Sequence, residues 1–499
     1  MNHGTCEYRM HLKLQWLIFE ITKYPIMLNQ FCTKLFTGFI YFFILNSAVC
    51  VAQQAGKTDA IYSGVPWYDQ NGNIVSAHGA NIIRDNGTYY LFGEAHSDTS
   101  NAFAGFNCYS STDLYNWKFE SIALPLQPDG KLGPNRVGER VKVMKNPTSG
   151  EYFMYMHADT LGYKDQFVGY AISKNITGPY QFKGPILFNG KPIKKWDMGT
   201  FQDQDGKGYI LTHGGVIHQL ADDYQSIVAE TNKQLTSGFE SPTLFRKGNI
   251  YYFIGSNLTS WEKNDNYYYT ASSLSGPWTA QGLFAPKGSL TWNSQTTFVL
   301  PVEGTKDTTF IFMGDRWSYP RQLSAATYVW QPLNISGTAM SIPEYMQAWQ
   351  VNTSTGEKTQ FKGNFKVIEN SDKSIHYKGK WLHVSDTTSI SRATDKNDSF
   401  SYTFRGKQIG LYTLALPDNG YAKIVLQNKK GKLINQNLVD LYSKTPKIGL
   451  VYLSPILPHD DYTLTVFVPG ERPNWSDKRK SNYGSTANTI TIDKLIVRK

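Results

Sequence analysis

One pattern recurs five times along this chain and constrains its fold more than any other feature. A turn with Gly or polar residues leads into an aromatic-rich alternating strand in NGTYYLFGE (86–94), SGEYFMYMH (149–157), DGKGYILTH (205–213), KGNIYYFIG (247–255) and KDTTFIFMG (306–314). Four of these strands are followed by a strand–turn–strand piece in which Gly-Pro or Asp sets the turn. Repeats spaced by roughly 40–60 residues, each a small antiparallel sheet, are typical of a β-propeller. The sequence therefore predicts a five-bladed β-propeller over residues 56–343.

A second region follows the repeats. Residues 344–363 are predicted to be a linker, and from residue 364 the pattern changes to alternating strands separated by Gly, Asn and Pro turns. Residues 364–499 are therefore predicted to form a β-sandwich of the jelly-roll type, which makes the fold class all-β throughout. Two interpretations of this domain stay open: an accessory carbohydrate-binding module, and a structural cap on the propeller.

Residues 1–52 have the character of a secretory signal region. An apolar run from Phe36 to Ala52 follows Lys34 and precedes a polar stretch, and it is too short for a convincing membrane span. Met27 lies just ahead of this run and is a candidate for the true start. We expect a secreted or periplasmic protein. Lipoprotein anchoring through Cys50 is the less favoured alternative, because a Val precedes that Cys.

Composition narrows the class of protein further. Aromatic residues make up 14% of the chain, with 32 Tyr and 12 Trp, which suits both sheet packing and stacking on sugar rings. The formal charge of +10 comes from scattered Lys and Arg without a basic helix or a nucleic-acid motif, so no nucleic-acid partner is expected. Cys108 alone follows the signal region, and no Cys/His ligand cluster is present, so we expect no internal disulfide, metal or cofactor.

A polar residue stands 11 to 15 positions before an aromatic residue of each repeat strand, in or beside a mainly apolar run. These residues are His78, Glu139, Asp197, Glu240 and Gln295. The innermost strands of propeller blades line one central channel, so equivalent positions converge there. An ionised carboxylate in an apolar strand is costly unless it is paired or functional. The five residues therefore predict a functional site in the channel.

These repeats and motifs together resemble glycoside hydrolase family 43. The closer similarity is to its exo-β-1,3-galactanase branch, which carries analogues of YLFGE, GERVKV, FESPTLF, SQTTFVLP and FMGDRW. The resemblance spans essentially the whole propeller region. It implies an exo-acting, inverting enzyme that releases galactose from the non-reducing end of β-1,3-galactan, the backbone of arabinogalactan. The alternatives are an α-L-arabinofuranosidase or β-xylosidase on the same fold, and a non-catalytic carbohydrate-binding propeller.

The resemblance also implies roles for individual residues. Glu240 matches the general acid, and Asp197 matches the carboxylate that orients this acid and raises its proton affinity. Glu139 is also assigned to the catalytic residues and matches a residue that contacts the terminal sugar. Glu94 matches a carboxylate that binds and distinguishes sugar hydroxyls. The remaining substrate-binding positions are His78, Tyr163, Thr259 and Trp261.

The chain departs from the wider family at the catalytic base. Most members carry an Asp on the first blade, near the position where this chain has His78, Gly79 and Ala80. In the galactanase branch a Gln is assigned the corresponding role, and Gln295 matches it. An amide is a poor base, so Gln295 would act through its imidic tautomer or by positioning water. Because pentose-releasing members generally keep the Asp, its absence favours galactan as the substrate.

Overall fold

The computed structural model describes residues 57–385, 389–477 and 480–499, and it consists almost entirely of β-strands. The predicted signal region, with Met27 and Cys50, lies outside these residues. Within them, helical structure is confined to a 3-10 turn at Gly130–Leu132 and a four-residue turn, α1, at Leu290–Asn293. In the described part of the chain, no helix is long and apolar enough to cross a membrane. The predicted predominance of β-structure is confirmed.

A short strand, β1 (Ile61–Tyr62), precedes a series of sheets built from consecutive strands. The first sheet runs in chain order through β2 (His78–Asp85), β3 (Thr88–Glu94), β4 (Gly105–Ser111) and β5 (Lys118–Pro125). The second runs through β6 (Arg136–Lys145), β7 (Tyr152–Thr160), β8 (Phe167–Ser173) and β9 (Gln181–Pro185). All neighbouring strands in these two sheets are antiparallel.

The third sheet has six strands and the next two are smaller. The third consists of β10 (Leu187–Phe188), β11 (Lys191–Pro192), β12 (Met198–Gln202), β13 (Gly208–Thr212), β14 (Val216–Leu220) and β15 (Ser226–Asn232). The fourth consists of β16 (Glu240–Lys247), β17 (Ile250–Ser256), β18 (Tyr267–Ala271) and β19 (Thr279–Leu283). The fifth consists of β20 (Gln295–Glu303), β21 (Thr308–Arg316) and β22 (Thr327–Pro332).

The arrangement of the five sheets brings one edge strand of each sheet together. We call this edge strand the first strand of its sheet and the strand paired with it the second strand; in the third sheet these are β12 and β13. The first strands, β2, β6, β12, β16 and β20, contact one another in sequence order, and β20 also contacts β2. Five hydrophobic clusters fill the spaces between neighbouring sheets, including one between the fifth sheet and the first, which contains Ile82, Ile311 and Trp330. The five aromatic repeats form the second strands, β3, β7, β13, β17 and β21. Their alternating rings therefore supply much of the packing between sheets.

The segment after the fifth sheet connects back to the N-terminal strand. It contains a hairpin of β23 (Asn334–Ser336) and β24 (Ala339–Ser341), and then β25 (Ala348–Val351) and β26 (Lys358–Gln360). Strand β25 pairs with both β26 and β1. Just beyond β1, the Gly64 N–H donates to the Tyr328 carbonyl of β22 at 2.7 Å. The segment 344–363, predicted as a linker, thus contains two paired strands.

Residues 366–498 form two larger sheets and two small ones. Their strands are β27 (Lys366–Glu369), β28 (Ile375–Lys378), β29 (Leu382–Val384), β30 (Ile390–Ala393), β31 (Ser399–Gly406), β32 (Gln408–Ala415), β33 (Tyr421–Asn428), β34 (Leu433–Asp440), β35 (Lys447–Leu453), β36 (Asp460–Phe467), β37 (Asn474–Ser476), β38 (Asn482–Gly484), β39 (Ile490–Ile492) and β40 (Lys494–Arg498). The larger sheets have the orders β27-β40-β32-β35 and β28-β31-β36-β33-β34. Alternate side chains from both sheets form a single hydrophobic core.

The turn α1 is left-handed. Its four residues, Leu290 to Asn293, have φ values between 51° and 61°, a region that residues with a Cβ adopt rarely and usually singly. Two side chains outside the turn hold it. Asp265 accepts hydrogen bonds from the N–H groups of Gly288 and Leu290 at 2.7 and 2.8 Å. Arg316 donates to two carbonyls of the turn at 3.1 Å each. The turn ends just before Gln295, the first residue of β20.

Candidate active site

The five polar residues predicted from the sequence lie at or near the starts of the five first strands. His78, Glu240 and Gln295 begin β2, β16 and β20, Glu139 lies within β6, and Asp197 directly precedes β12. In β2, β6, β16 and β20 the strand register shifts just after this residue, which marks a β-bulge. Bulges re-aim side chains and are common beside active sites.

A second set of polar residues lies opposite the first, at the ends of the second strands. The facing pairs are His78 and Glu94, Glu139 and His157, Glu240 and Ser256, and Gln295 and Asp315. In the third sheet the His213 N–H donates to the Asp197 carbonyl at 3.1 Å. Sequence analysis identified Glu94 and left Asp315 open between a pocket wall and a structural ion pair, but it missed His157, His213 and Ser256. The signal was available, because each of these residues closes or directly follows one of the five aromatic repeats.

Arg140 is the cation at the centre of the site. Its guanidinium Nη2 lies 2.6 Å from Gln295 Oε1 and 3.2 Å from Asp197 Oδ2. Its Nη1 lies 3.9 Å from Asp315 Oδ2, and its backbone N–H donates to Glu94 Oε1 at 2.8 Å. Only 6% of Arg140 is exposed, so these contacts form in a medium where charge pairing is strong. One buried cation thereby links residues from the first, second, third and fifth sheets.

Asp197 and Glu240 form a pair of carboxyl groups with opposite proton affinities. Asp197 Oδ2 accepts hydrogen bonds from the Ser241 N–H at 3.1 Å and the Ser241 hydroxyl at 2.9 Å. Burial opposes ionisation of Asp197, but the charges of Arg140 and His157 and the hydrogen bond from Ser241 together outweigh burial and lower the pKa of Asp197. Burial raises the pKa of Glu240 well above its ordinary value, and the negative charge of Asp197 raises it further. Glu240 therefore keeps its proton while Asp197 is ionised.

The Glu240 carboxyl also has an uncommitted oxygen. Its Oε2 atom is shielded from solvent and has no hydrogen-bond partner among the described residues. A buried carboxyl oxygen without a partner costs free energy in the unliganded protein. The same oxygen can donate its proton to a group that enters the site.

Glu139 is held by two side chains. The Tyr163 hydroxyl donates to Glu139 Oε1 at 2.6 Å, and His157 Nδ1 lies 3.1 Å from Glu139 Oε2. The other His157 nitrogen, Nε2, lies 3.5 Å from Asp159 Oδ2. Burial lowers the pKa of His157, but the attraction of the Asp159 and Glu139 carboxylates outweighs burial and raises the pKa to about 9. The imidazole is therefore protonated at neutral pH and holds Glu139 by an ion pair.

Glu139, His157 and Asp197 also place one potential metal-ligand atom each within 4.8 Å of one another. A metal binds imidazole through a neutral nitrogen. In this arrangement His157 is protonated and both of its nitrogens face carboxylates. As arranged, these side chains form an ion-pair cluster centred on His157.

The raised pKa of His157 predicts a pH-dependent contribution to stability. The contribution is fully present below the unfolded-state pKa of about 6.5 and is lost as the pH rises through about 9. A shift of this size corresponds to about 3 kcal/mol of unfolding free energy. We expect the stability difference between the unaltered protein and His157→Gln to shrink by roughly that amount across this pH range. Denaturant titrations at each pH measure it. His376→Gln, at an exposed position, is the control and should show no such trend.

Gln295 is fixed by three hydrogen bonds. Its Oε1 accepts from Arg140 at 2.6 Å and from the Trp317 indole N–H at 2.8 Å, and its Nε2 donates to the Ser256 hydroxyl at 2.9 Å. The imidic tautomer would carry a proton on the oxygen, but both partners of that oxygen are donors. The hydrogen bonds therefore favour the amide form, which leaves one N–H of Nε2 for a water or a substrate hydroxyl.

Of the remaining predicted residues, Trp261 lines a pocket at the site, whereas Thr259 and His78 do not. A pocket is lined by Glu94, Glu139 and Trp261, together with His96 and Phe103. The Thr259 hydroxyl donates to the Glu262 carbonyl at 2.6 Å, so it shapes the loop that carries Trp261. His78 is 1% exposed and its ring stacks on Tyr328 with 4.3 Å between centroids. His78 thus lies behind the surface that the pocket presents.

Comparison with known proteins places these features in a family context. Residues 74–294 match the sequence profile described as glycosyl hydrolases family 43. The chain is similar to the crystal structure of an exo-β-1,3-galactanase from Phanerochaete chrysosporium with galactose. The identity is 28% and the TM-score is 0.67, with 88% of this chain and 100% of that chain covered.

Two further relatives show how far the similarity extends. A proposed exo-β-1,3-galactanase from Bifidobacterium bifidum is 38% identical with a TM-score of 0.53, covering 56% of this chain and 95% of that chain. The extracellular endo-α-(1→5)-L-arabinanase 2 of Bacillus subtilis is 28% identical over 180 residues, 31% of this chain. The chain spans 35% of the length of that arabinanase.

Proposed function

We propose that this chain, which belongs to glycosyl hydrolases family 43 and is a glycoside hydrolase, releases galactose from the non-reducing end of β-1,3-galactan with inversion of configuration. The observation that carries the proposal is the buried Glu240 carboxyl, whose Oε2 has no hydrogen-bond partner among the described residues, next to Asp197, which Arg140 and Ser241 hold. Galactan is favoured over other polysaccharides because of two similar solved structures. One is an exo-β-1,3-galactanase, and the other is a proposed exo-β-1,3-galactanase.

In the proposed reaction Glu240 is the general acid. As the glycosidic bond breaks, its Oε2 gives a proton to the departing sugar oxygen, which leaves as a hydroxyl. Asp197 stays ionised because Arg140 and Ser241 hold it, and its charge keeps Glu240 protonated until the proton is needed. A water molecule attacks the anomeric carbon from the opposite face, and its proton passes to solvent water as the new bond forms; Glu240 is reprotonated from solvent before the next turnover.

Gln295 is proposed to position that water. Its free N–H lies on an amide that Arg140, Trp317 and Ser256 hold in one orientation. Fixing a reactant in its attack geometry lowers the barrier without proton transfer to the amide. Of the two roles expected from the sequence, water positioning is the one that this hydrogen bonding favours.

Glu94 and Glu139 are proposed to bind the hydroxyls of the terminal sugar. Both line the pocket, and each carboxylate is oriented by neighbours, Glu94 by Arg140 and Glu139 by Tyr163 and His157. Oriented carboxylates discriminate sugars by which hydroxyls can donate to them. We propose Trp261 as the apolar wall of this pocket.

The sugar released from different polysaccharides tests the proposal. The purified protein is incubated with arabinogalactan, arabinan and xylan, and the products are identified by chromatography. Galactose from arabinogalactan supports the proposal, whereas arabinose or xylose would assign the protein to the pentose-releasing alternatives. Binding without any released sugar would indicate a non-catalytic carbohydrate-binding protein.

The Asp197–Glu240 pair also predicts a shift in the pH dependence of activity. Burial is the largest cause of the raised pKa of Glu240, and the negative charge of Asp197 is the next. Because Asp197→Asn removes that charge, it should lower the pKa of Glu240. Glu240 then loses its proton at lower pH, and the alkaline limb of kcat/KM moves to lower pH. Asp203→Asn is a matched control because Asp203 pairs with Arg246 and Tyr251 instead. An alkaline limb that stays in place in Asp197→Asn would mean that another group sets it.

We propose that the five sheets are the blades of a five-bladed β-propeller spanning residues 56–343. The cyclic order of contacts between the first strands supports it, as does the hydrophobic cluster between the fifth and first sheets. We propose that residues 364–499 form a β-sandwich of the jelly-roll type, supported by the shared core of the two larger sheets. Secretion is proposed from the predicted signal region and the extracellular arabinanase relative.

A further inference from the structure

A row of aromatic rings leads from the candidate active site to the C-terminal part of the chain. The rings of Trp317 and Trp261 have centroids 5.2 Å apart, and the ring of Tyr319 lies parallel to Trp261 at 5.8 Å. The next ring, Trp475, is 6.3 Å from Tyr319 and stacks on Tyr483 at 5.7 Å. The row therefore joins the pocket wall to the hairpin of β37 and β38.

The innermost ring of this row is buried, and the rings beyond it are partly exposed. Trp317 is 3% exposed, whereas Trp261, Tyr319 and Trp475 are partly exposed. Aromatic rings that are partly exposed but held by their neighbours offer apolar surface at little cost in conformational entropy. Such rings suit the apolar faces of pyranose units.

Hydrogen bonds from the C-terminal part fix the two segments that carry these rings. The Tyr442 hydroxyl donates to Glu262 Oε2 at 2.6 Å, next to Trp261 in sequence. The Ser318 hydroxyl, next to Tyr319, donates to Asp440 Oδ2 at 2.9 Å. Glu262 is 4% exposed and Ser318 is 2% exposed, so both bonds are protected from water. The C-terminal part thus sets the positions of the rings as well as adding Trp475.

We propose that Tyr319 and Trp475 bind galactosyl units on the leaving-group side of the bond that is cleaved. The proposal rests on the proposed exo-acting function. An exo-acting enzyme holds the terminal unit in its pocket, so the rest of the polysaccharide must pass through the pocket mouth. The aromatic row is continuous with that mouth through Trp261. The ligand is therefore the substrate itself, a β-linked galactose chain longer than the disaccharide.

Chain-length dependence of activity tests this proposal. The ratio of kcat/KM for β-1,3-galactotetraose to kcat/KM for β-1,3-galactobiose is measured for the unaltered protein and for Trp475→Ala. Loss of one stacking ring should lower this ratio about tenfold. Trp475→Tyr should restore most of the ratio because it keeps a ring at this position. Trp381→Ala is the matched control, since Trp381 packs on Tyr377 within the same C-terminal part.

The outcomes separate this proposal from the proposed function. An unchanged ratio in Trp475→Ala would overturn the aromatic track, as would an equal loss for the two substrates. If the unaltered protein released no galactose, the proposed function would fail. The track would then be tested by affinity electrophoresis in galactan gels, where Trp475→Ala should migrate faster than the unaltered protein. Equal retardation of the two proteins would overturn it in that case also.

Discussion

Glu240→Gln is expected to lower kcat on unactivated galactan by about 10²–10⁴-fold, the usual contribution of a general acid. The substitution keeps the size of the side chain but removes the proton that the leaving oxygen requires. Sugar binding should persist because the pocket carboxylates remain. Initial rates of galactose release from galacto-oligosaccharides measure the effect on kcat, and calorimetric titration with the same oligosaccharide measures binding.

Two comparisons make the Glu240 result specific. An aryl galactoside with a highly acidic leaving group should lose much less activity, because its leaving group needs little protonation. Glu120→Gln, in which a surface carboxylate paired with Lys118 is altered, should retain normal activity on both substrates. Full activity of Glu240→Gln on galactan would show that another residue is the acid.

The second large effect is expected at Gln295. In Gln295→Ala the water is no longer held opposite Glu240, and kcat should fall on the order of 10²-fold, as expected for a misplaced reactant. Proton NMR of the first-formed product should show α-galactose from the β-linked substrate. The single displacement behind this result needs the acid and the water-holding group about 6.5–9.5 Å apart.

Gln295→Glu is the informative partner of Gln295→Ala. Arg140 and Trp317 would donate to one carboxylate oxygen, and the other oxygen would lie toward Ser256 and the water site. A conventional base should then recover part of the activity that Gln295→Ala loses. Initial β-galactose would instead indicate double displacement through a carboxylate about 5–5.5 Å from the acid, for which Glu139 is a candidate. Full activity of Gln295→Ala would show that Gln295 does not position the attacking water and only lines the pocket.

The sequence predicted the strands and the first set of site residues because both follow local patterns. Alternation of aromatic residues fixes the second strand of each sheet, and polar residues in apolar runs mark Glu139, Asp197 and Glu240. Membership of family 43 and glycoside hydrolase activity were likewise predicted from these motifs and confirmed.

The roles of the other site residues depend on partners that are distant in sequence. Arg140 directly follows Glu139 in the motif GERVKV, but its guanidinium contacts Gln295, which is 155 positions away in the sequence. In the sequence, His157 is simply the last residue of an aromatic repeat. Only its contacts with Glu139 and Asp159 in the structure make it a cation at neutral pH. Charge states of this kind come from three-dimensional neighbours, so composition and spacing do not reveal them.

The left-handed turn before Gln295 has a consequence for the order of folding. Four successive left-handed residues oppose local preference by about 1–2 kcal/mol each, so this turn cannot act as a nucleus. Its supports, Asp265 and Arg316, come from the connection after β17 and from the end of β21. The turn can persist only once the fourth and fifth sheets are assembled. Gln295 therefore reaches its working position late, and a chain arrested at an earlier stage would have most of its strands but no competent catalytic centre.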